Sequence, residues 1–456
     1  MFSNDTIVAL STPQGVGAIA VIRVSGGNSF DLLQQIFRGK NLKNQLTHTI
    51  VFGKIVDKEQ VIDDVLVSIF KGPNSFTKED VVEISCHGSN YIIQKIIELL
   101  IKQGARYAKP GEFTQRAFLN GRFNLAQAEA VADLIHSDSE SAHLAAIKQM
   151  RGGFAAEIKV LREQLVTFAS LIELELDFAE EDVAFANRSQ LKSTVLGLLQ
   201  IIFPLIDSFQ FGNAIKNGVP VAIIGKPNAG KSTLLNTLLN EEKAIVSEIA
   251  GTTRDAIEDE IIINGFKIRF IDTAGLRITN DKLETIGIER TMQKIQEASL
   301  IIYLFDVTNN SIEDLKKIIK EIKSFEKPFL LVGNKIDFQD YEPTKFESLN
   351  NTNALIFISA NKKNGIENLK SQIIKAVNLE NFKTGNSLVT NIRHYESFLL
   401  TKEALERVLF GIDSNQSTEL IAEDIREALY QLGLVTGEVT NDEILGNIFS
   451  KFCIGK

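Results

Sequence analysis

The sequence of 456 residues predicts a multidomain α/β protein, in which an α+β domain precedes a helical domain that carries an inserted α/β unit. Three patterns predict this fold class. Short apolar runs alternate with glycine turns up to about residue 120, apolar residues recur every three or four positions from Leu125, and a strand, a glycine loop and a helix follow one another from Val219. We place the boundaries at 1–120, 121–217, 218–379 and 380–456, with the second and fourth segments forming one helical domain.

The N-terminal segment is predicted to be a compact α+β domain. Its strand-like runs cover residues 19–24, 49–55, 61–70 and 81–84, and helical spacing occurs once, over 92–102. Between residues 125 and 205, and again after Leu379, the apolar spacing indicates long helices. We expect the acidic residues in this helical part to form a solvated face. They are Glu173, Glu175, Asp177 and the run 180–182.

Residues 225–232, Gly-Lys-Pro-Asn-Ala-Gly-Lys-Ser, carry the most specific pattern in the chain. An apolar strand is predicted before them and a helix after them, which is the context that a phosphate-binding loop needs. In such a loop Gly225 and Gly230 let backbone N–H groups point at phosphate oxygens, with the positive end of the helix dipole behind them. We expect Lys231 to reach the β- and γ-phosphates and Ser232 to offer its hydroxyl to Mg²⁺.

Two further motifs follow in the order that a nucleotide site requires. Residues 272–275, Asp-Thr-Ala-Gly, would place a carboxylate beside the magnesium and a glycine amide beside the γ-phosphate. Residues 334–337, Asn-Lys-Ile-Asp, end another apolar run, and the Asp337 carboxylate would accept from N1 and the exocyclic amine of guanine, a pairing that adenine leaves unsatisfied. Ser359 and Ala360 are expected to close the base pocket. The predicted nucleotide is therefore GTP rather than ATP.

The motifs do not identify a single residue that positions the attacking water. The loop 251–255 supplies a hydroxyl, that of Thr253, for a second protein contact to Mg²⁺. Leu276 follows the Asp-Thr-Ala-Gly motif, where many switch GTPases carry a glutamine that orients the water, and leucine cannot do this. Acidic side chains downstream could replace it, but each could equally be a solvated helix charge. They are Asp281, Glu284 and Glu289.

The composition limits the kind of protein. The net charge is −9 and no dense basic run occurs, so any RNA contact is either local or supplied by a partner. No apolar run approaches the roughly 20 residues of a membrane-spanning helix, and the N-terminus lacks the pattern of a secretory leader. Cys86 and Cys453 are too few and too far apart for a disulfide framework. We therefore expect a reducing, cytoplasmic setting.

The C-terminus carries a further signal. Thr440 and Glu443 have capping-box spacing, which predicts a helix that runs through Phe452 and brings Cys453 to the chain end. A cysteine in such a tail is not expected to be deeply packed. A prenylation signal is disfavoured by the final two residues, which are glycine and lysine.

These motifs, the segment 283–290 and the terminal residues 452–456, Phe-Cys-Ile-Gly-Lys, together resemble the MnmE family of tRNA-modifying GTPases, also called TrmE, over the whole chain. The resemblance implies that Glu284 orients the water and that a potassium ion replaces an arginine finger. The implied potassium ligands are Asn228, Ser247, Ile249 and Thr252. The implied GTP contacts are Asn228, Ala229, Gly230, Lys231, Ser232, Thr233, Ser247, Glu248, Ile249, Ala250, Gly251, Thr252, Thr253, Asp272, Thr273, Ala274, Gly275, Asn334, Lys335, Asp337, Ser359 and Ala360.

The resemblance also gives a role to charges in the first domain. Arg23 and Glu83 lie within apolar strand-like runs, where a position on the solvent face is the ordinary explanation. In the family this domain is a folate-binding fold that contacts a tetrahydrofolate across a homodimer. The matching positions are Arg23, Glu83, Arg122 and Lys456. Lysine is frequent at the third of these positions, so arginine keeps the charge but changes the hydrogen-bond geometry.

The implied activity joins these parts. It is a potassium-stimulated GTPase that works with MnmG, an FAD-containing partner, to add an aminomethyl or carboxymethylaminomethyl group to carbon 5 of the wobble uridine of certain tRNAs. The one-carbon donor would be 5,10-methylenetetrahydrofolate, with glycine or ammonium supplying the amine. Lys231, Glu284 and Cys453 are the implied catalytic residues, with Cys453 acting either as a nucleophile or as a support. The nucleotide motifs alone fit a GTPase switch in ribosome assembly equally well, whereas the first domain and the terminal Cys-Ile-Gly-Lys favour modification.

Overall fold

The computed structural model describes residues 5–177, 187–242, 259–271, 295–338, 345–346, 349, 355–379, 388–440, 442–450 and 452–455. Contacts divide the chain into two compact units. The first comprises Met1–Ile135, Ile147–Phe203 and Glu396–Lys456, and the second comprises His136–Ala146 and Pro204–Tyr395. Each unit contains a β-sheet with its own hydrophobic core.

The sheet of the first unit has seven strands. They are β1 Ile7–Leu10, β2 Gly17–Ser25, β3 Phe37–Gly39, β4 Thr49–Asp57, β5 Gln60–Phe70, β6 Val81–Gly88 and β7 Arg106–Tyr107. The strand order is β3-β4-β5-β6-β2-β1-β7, and every pair is antiparallel except β1 with β7. Alternate residues of β5, including Val65, Val67 and Ile69, are buried, which gives the sheet one core-facing side.

Three helices accompany this sheet: α1 Ser29–Ile36, α2 Asn90–Lys102 and α3 Glu112–Leu119. The predicted strands and the predicted helix at 92–102 are confirmed. The prediction of a single helix in this segment is wrong, because α1 and α3 were missed. Each of them has eight residues, so an apolar stripe repeats too few times to be recognised from spacing.

Four helices follow in chain order: α4 Leu125–His136, α5 Glu140–Met150, α6 Ala155–Asp177 and α7 Arg188–Asn217. Among the described helices, α7 alone is long and apolar enough, by length and composition, to cross a membrane, although the sequence analysis found no such run. Leu191, Val195, Leu198 and Ile202 in α7 are nevertheless fully buried within the chain. Only 33% of the apolar window of α7 is buried, and a single helix that meets this length and composition test is weak evidence for a membrane span.

Within the described residues, the sheet of the second unit has six strands: β8 Val219–Ile224, β9 Asp259–Ile263, β10 Phe266–Phe270, β11 Leu300–Asp306, β12 Phe329–Asn334 and β13 Leu355–Phe357. Their order is β13-β12-β11-β8-β10-β9, and only the β9–β10 pair is antiparallel. The described helices of this unit include α8 Lys231–Glu242, α9 Ile312–Lys323 and α10 Ile366–Ala376. Ligands of such sheets bind at the carboxyl ends of the parallel strands. The predicted multidomain α/β fold class is confirmed.

The chain ends with α11 Ile392–Asp413, α12 Thr418–Thr436 and α13 Asp442–Phe449. The predicted terminal helix through Phe452 is therefore too long. The Phe452 amide donates to the Phe449 carbonyl over 3.1 Å in a turn, and the Phe452 side chain is buried in a cluster with Leu125 and Phe449. This tertiary contact turns the tail away from the helix axis. The cap at Thr440 remains a prediction, because Asn441 lies outside the described residues.

The acidic end of α6 also departs from expectation. The Glu175 side chain is only 8% exposed and accepts from Arg188 Nη2 over 2.7 Å. Glu173 is exposed but pairs with Arg426 over 3.1 Å. The prediction of a uniformly solvated face is therefore wrong at Glu175, because a carboxylate buried between helices needs a charged partner. The acidic run 180–182 lies outside the described residues.

Candidate functional site

The phosphate-loop motif connects β8 directly to α8 at the carboxyl edge of the second sheet. Gly225, Asn228 and Gly230 all have positive φ, at 155°, 62° and 96°. A Cβ at Gly225 would lie 2.1 Å from the Leu304 carbonyl oxygen, so only glycine allows this approach. The loop therefore has the left-handed backbone at its glycines that the predicted phosphate loop needs, and it lies at the N-terminus of α8.

The lysine of the motif is held against this loop. Lys231 Nζ donates to the carbonyl oxygens of Gly225, over 2.8 Å, and Lys226, over 3.0 Å. Ser232 and Thr233 follow in the first turn of α8, with Ser232 half-buried and Thr233 exposed. A cation and a hydroxyl therefore lie together at the start of the helix, as phosphate and magnesium binding require.

The Asn334 side chain joins two of the predicted motifs to each other. Its Nδ2 donates to the Ala229 carbonyl over 2.9 Å, and its Oδ1 accepts from the Ala360 amide over 3.0 Å. A Cβ at Gly230 would lie 2.3 Å from the same Nδ2. Thr237 Oγ1 of α8 donates a hydrogen bond to the Ala360 carbonyl over 2.9 Å. The phosphate loop, the end of β12 and the loop after β13 therefore form one hydrogen-bonded assembly.

The remaining residues predicted for the base pocket follow Asn334. Lys335 has a φ of 73°, and its Nζ contacts Asp306 Oδ2 over 2.6 Å. Burial would raise the pKa of Asp306, but hydrogen bonds from Lys335 and Thr308 outweigh it and hold that pKa below its ordinary value. Asp337 is exposed, whereas Ser359 is fully buried and its Oγ accepts from the Lys362 amide over 3.1 Å. An exposed carboxylate at this edge can receive hydrogen bonds from a base.

Sequence reasoning missed Asp306 and Thr237. Asp306 was detectable, since it ends β11, whose other residues are aliphatic or aromatic and which lies between β8 and β12. Thr237 carries no sequence signal, because its partner is a distant backbone carbonyl. Several predicted residues lie outside the described part of the chain. They are Ser247, Glu248, Ile249, Ala250, Gly251, Thr252, Thr253, Asp272, Thr273, Ala274, Gly275, Glu284 and Lys456.

A second constellation lies on the sheet of the first unit. Arg23 of β2 is the direct cross-strand partner of Glu83 of β6. Arg23 Nε donates to Glu83 Oε1 over 2.9 Å, and Arg23 Nη2 approaches the same oxygen at 2.8 Å. The side chains are 15% and 26% exposed, so the pair is accessible yet sheltered. This brings together two of the predicted folate residues.

The third predicted folate residue lies close to this pair. The Arg23 guanidinium carbon is 5.2 Å from the Phe76 ring centroid, and the Arg122 guanidinium carbon is 5.3 Å from the same centroid. Arg122 also donates to the Ser75 carbonyl and lies 5.2 Å from the Phe123 ring centroid. Burial lowers the pKa of its guanidinium. Two cations thus flank one aromatic ring, an arrangement that cation–π attraction stabilises.

The C-terminal tail reaches the same place. Arg23 Nη1 donates to the Gly455 carbonyl over 3.4 Å, and Ser11 Oγ donates to it over 3.2 Å. Gly455 has a φ of 94°, and a Cβ there would lie 2.1 Å from the Leu10 carbonyl oxygen. The Cys453 carbonyl accepts from the Gly111 amide over 3.4 Å. The tail is therefore anchored beside the Arg23–Glu83 pair.

The two thiols differ in environment. Cys453 is exposed, which confirms the expectation that it is not deeply packed. Cys86 is buried, and burial raises the pKa of its thiol to about 11. A thiol with such a pKa stays protonated at neutral pH. Of the two cysteines, Cys453 is the one that solvent reaches.

Comparison with known proteins identifies the family of this chain. The family model described as GTP-binding protein TrmE N-terminus matches residues 6–122, and the model described as MnmE helical domain matches residues 125–453. The chain belongs to the MnmE family. A tRNA modification GTPase MnmE of Cytophaga hutchinsonii is 57% identical over 453 residues, which cover 99% of this chain and 98% of the relative. One of Flavobacterium johnsoniae is 55% identical over 466 residues, with 100% of both chains covered.

Membership of the MnmE family confirms the resemblance drawn from the motifs. The TrmE N-terminal match contains Arg23 and Glu83, and the MnmE helical match extends to Cys453. The roles of individual residues in this MnmE-family chain remain predictions.

Proposed function

We propose that this chain is a GTP-hydrolysing enzyme of tRNA modification. The observation that carries the proposal is the hydrogen-bonded assembly in which Asn334 joins the phosphate loop to the loop of Ala360. Such an assembly holds the phosphate-binding and base-binding parts of a nucleotide site in one fixed relation. Full-length relatives named tRNA modification GTPase MnmE support the second half of the proposal.

The described residues fit a guanine nucleotide with magnesium. The backbone amide of Gly230 would donate to a phosphate oxygen, although that of Ala229 donates to the Lys226 carbonyl over 3.3 Å in this structure. The ammonium group of Lys231 would offset the phosphate charge, and the Ser232 hydroxyl would bind Mg²⁺ together with Thr253. The exposed carboxylate of Asp337 would select guanine. Mg²⁺ supplies charge stabilisation on the transferred phosphoryl group when it is bound.

Hydrolysis would depend on two further positions. Glu284 would orient the attacking water, in the role that Leu276 cannot fill. Asn228, whose φ of 62° places it in the left-handed region that asparagine tolerates, would hold a potassium ion with Ser247, Ile249 and Thr252. The ion would supply the positive charge that an arginine finger supplies elsewhere.

The second constellation fits a reduced folate, for which 5,10-methylenetetrahydrofolate is our candidate. Pterin rings carry adjacent N–H donors that match a carboxylate such as Glu83, and Arg23 and Arg122 provide positive charge beside aromatic surface. Lys456 would add a further charge at the end of the anchored tail. The exposed Cys453 stands close in sequence to the Gly455 carbonyl that Arg23 contacts, so its thiol would act at or support this site.

A second copy of the chain would complete this site. The side of the first sheet that carries Glu83 also exposes apolar residues of β4 and β5: Ile50 is 65%, Phe52 64% and Leu66 47% exposed. An apolar patch of this kind is typical of an interaction surface. We therefore propose a homodimer formed through the N-terminal domains.

The complete reaction would need other partners. With MnmG and its FAD, the protein would install an aminomethyl-type or carboxymethylaminomethyl group at carbon 5 of the wobble uridine of certain tRNAs in the cytoplasm. The net charge of −9 favours a partner that supplies much of the RNA contact. GTP hydrolysis would drive conformational change rather than supply the transferred carbon.

Hydrolysis by the purified chain tests the GTPase half of this proposal. Glu284→Ala is expected to abolish turnover of GTP while leaving its binding nearly unchanged, because water positioning is needed only in the hydrolytic step. Glu289→Ala is the matched control and should retain turnover. Full activity of Glu284→Ala would refute the assigned role.

A further inference from the structure

An open cleft of about 520 Å³ lies in the first unit, and one of its lining residues, Phe76, contacts the guanidinium of Arg23. Its lining includes three basic side chains, His48, Lys78 and Arg122, together with the rings of Phe70 and Phe76. Among the described residues that line it, none is acidic. The cleft is therefore suited to a ligand that combines several negative charges with apolar surface.

Phe76 connects this cleft to the proposed folate site. Its ring lines the cleft and has the Arg122 guanidinium 5.3 Å from its centroid, while the guanidinium of Arg23 lies 5.2 Å from the same centroid. Arg122 thus belongs to both places. The cleft and the Arg23–Glu83 pair therefore border the same aromatic ring.

The other two basic residues are held in defined positions. His48 and Lys78 each have a φ of 61°, which is unusual for residues other than glycine and persists only where the surrounding structure imposes it. Lys78 Nζ donates to the Gly121 carbonyl over 2.9 Å, which uses one of the three donors of an ammonium group. The His48 ring contacts Phe70 edge-on with centroids 5.6 Å apart. The hydrogen bond of Lys78 and the ring contact of His48 give each side chain a defined partner in the protein.

We propose that this cleft binds the γ-linked glutamate tail of the folate and makes the protein selective for polyglutamylated over monoglutamylated tetrahydrofolates. The inference rests on the proposed folate function. It assigns the glutamate tail of the folate to the basic residues that line the cleft. Each added glutamate contributes one carboxylate, for which Lys78 and His48 are free of any acidic competitor in the cleft lining. RNA phosphates could meet the same cations, but the shared Phe76 ring favours one ligand that extends from the Arg23–Glu83 pair.

Isothermal titration of the full chain with the mono- and triglutamate forms of 5-formyltetrahydrofolate, a stable analogue, tests this. We expect the triglutamate to bind about tenfold more tightly, as one or two added charge pairs would give. Lys78→Gln and His48→Gln should each reduce that preference to about two- or threefold while changing monoglutamate affinity less than about threefold. Lys102→Gln, which removes the same charge from an exposed site on α2, should keep the full preference.

The outcomes separate the two proposals. Equal affinity of the unchanged protein for both forms would overturn the tail site and leave the folate function standing, whereas binding of neither form would overturn the folate function itself. Lys78→Glu should penalise the triglutamate more than Lys78→Gln does, and thermal unfolding of both variants shows whether they are folded. If Lys78→Gln weakened tRNA binding but kept the triglutamate preference, the cleft would belong to RNA and the inference would be wrong.

Discussion

The Asn334 side chain donates a hydrogen bond to the Ala229 carbonyl oxygen over 2.9 Å. Asn334 Oδ1 accepts a hydrogen bond from the Ala360 amide over 3.0 Å, and Asn334 is 3% exposed. Both ends of this amide are therefore satisfied inside the protein. We propose that nucleotide binding depends on this arrangement, because it joins the predicted phosphate loop to the predicted base pocket.

Asn334→Ala removes both bonds and leaves the Ala229 carbonyl and the Ala360 amide without this partner. We expect the second unit to lose about 1–3 kcal/mol of stability and GTP affinity to fall by at least about tenfold. Calorimetric unfolding and titration with a fluorescent GTP analogue measure the two effects. Asn213→Ala, at an exposed site on α7, should change neither. Unaltered GTP affinity in Asn334→Ala would show that the loops keep their positions without the side chain.

Asp337→Asn should change the base that the site accepts. An asparagine amide can donate to the second carbonyl of xanthine but cannot accept both hydrogen bonds of guanine. We expect GTP affinity to fall by at least about a hundredfold and XTP to become the preferred nucleotide, since sites built to pair polar groups reject partners that leave them unpaired. Competition binding with GTP, XTP and ATP measures this. Retained preference for GTP would remove Asp337 from base recognition.

Asn228→Gly separates the side chain of Asn228 from its backbone. Glycine adopts a φ of 62° without strain, so the loop should keep its shape and bind GTP. The unchanged protein should hydrolyse GTP faster in potassium than in sodium at equal ionic strength, and Asn228→Gly should lose most of that difference. Hydrolysis rates in the two salts provide the comparison. If the unchanged protein gave equal rates in both, the potassium mechanism would be excluded.

The Lys335–Asp306 pair makes a prediction about pH. The pKa of Asp306 lies below its ordinary value of 3.8, so its stabilising effect is complete above that value and is lost as the pH falls through the lower, folded-state pKa. Asp306→Asn should therefore destabilise the second unit at about pH 7, by about 1–3 kcal/mol, and by progressively less below about pH 4. Melting temperatures across this range, with Asp207→Asn as an exposed control, report the difference. If the difference in melting temperature between the unchanged protein and Asp306→Asn grew larger in acid, the pKa of Asp306 would not be lowered in the folded protein.

The sequence predicted those parts of the fold that depend on local pattern. The strand expected at 219–224 is β8, Val219–Ile224, because a central parallel strand is buried on both faces and its apolar run is continuous. The helices α1 and α3 were missed because eight residues show too little periodicity. The terminal helix was drawn too long because the burial of Phe452 against Leu125 depends on a residue far away in sequence.

In the candidate site too, the sequence predicted features local to a short segment and missed contacts between distant segments. Motif spacing identified Asn334, Lys231 and Asp337, whose chemistry is local to short segments. The bonds that assemble them are not local: Asn334 contacts residues 105 and 26 positions away. The pairing of Arg23 with Glu83 likewise depends on the register of β2 against β6, which the sequence pattern does not specify. Contacts between distant segments follow from tertiary packing and appear only in the structure.

The most direct test of the central claim is a mass-spectrometric profile of the wobble uridines in tRNA from cells that lack this protein. Wild-type chain, Cys453→Ser and the buried-thiol control Cys86→Ala would each be added back. We predict that uridines with aminomethyl-type groups at carbon 5 disappear without the protein and return with the wild type and Cys86→Ala but not with Cys453→Ser. An unchanged profile in the cells that lack the protein would contradict the proposed role in tRNA modification.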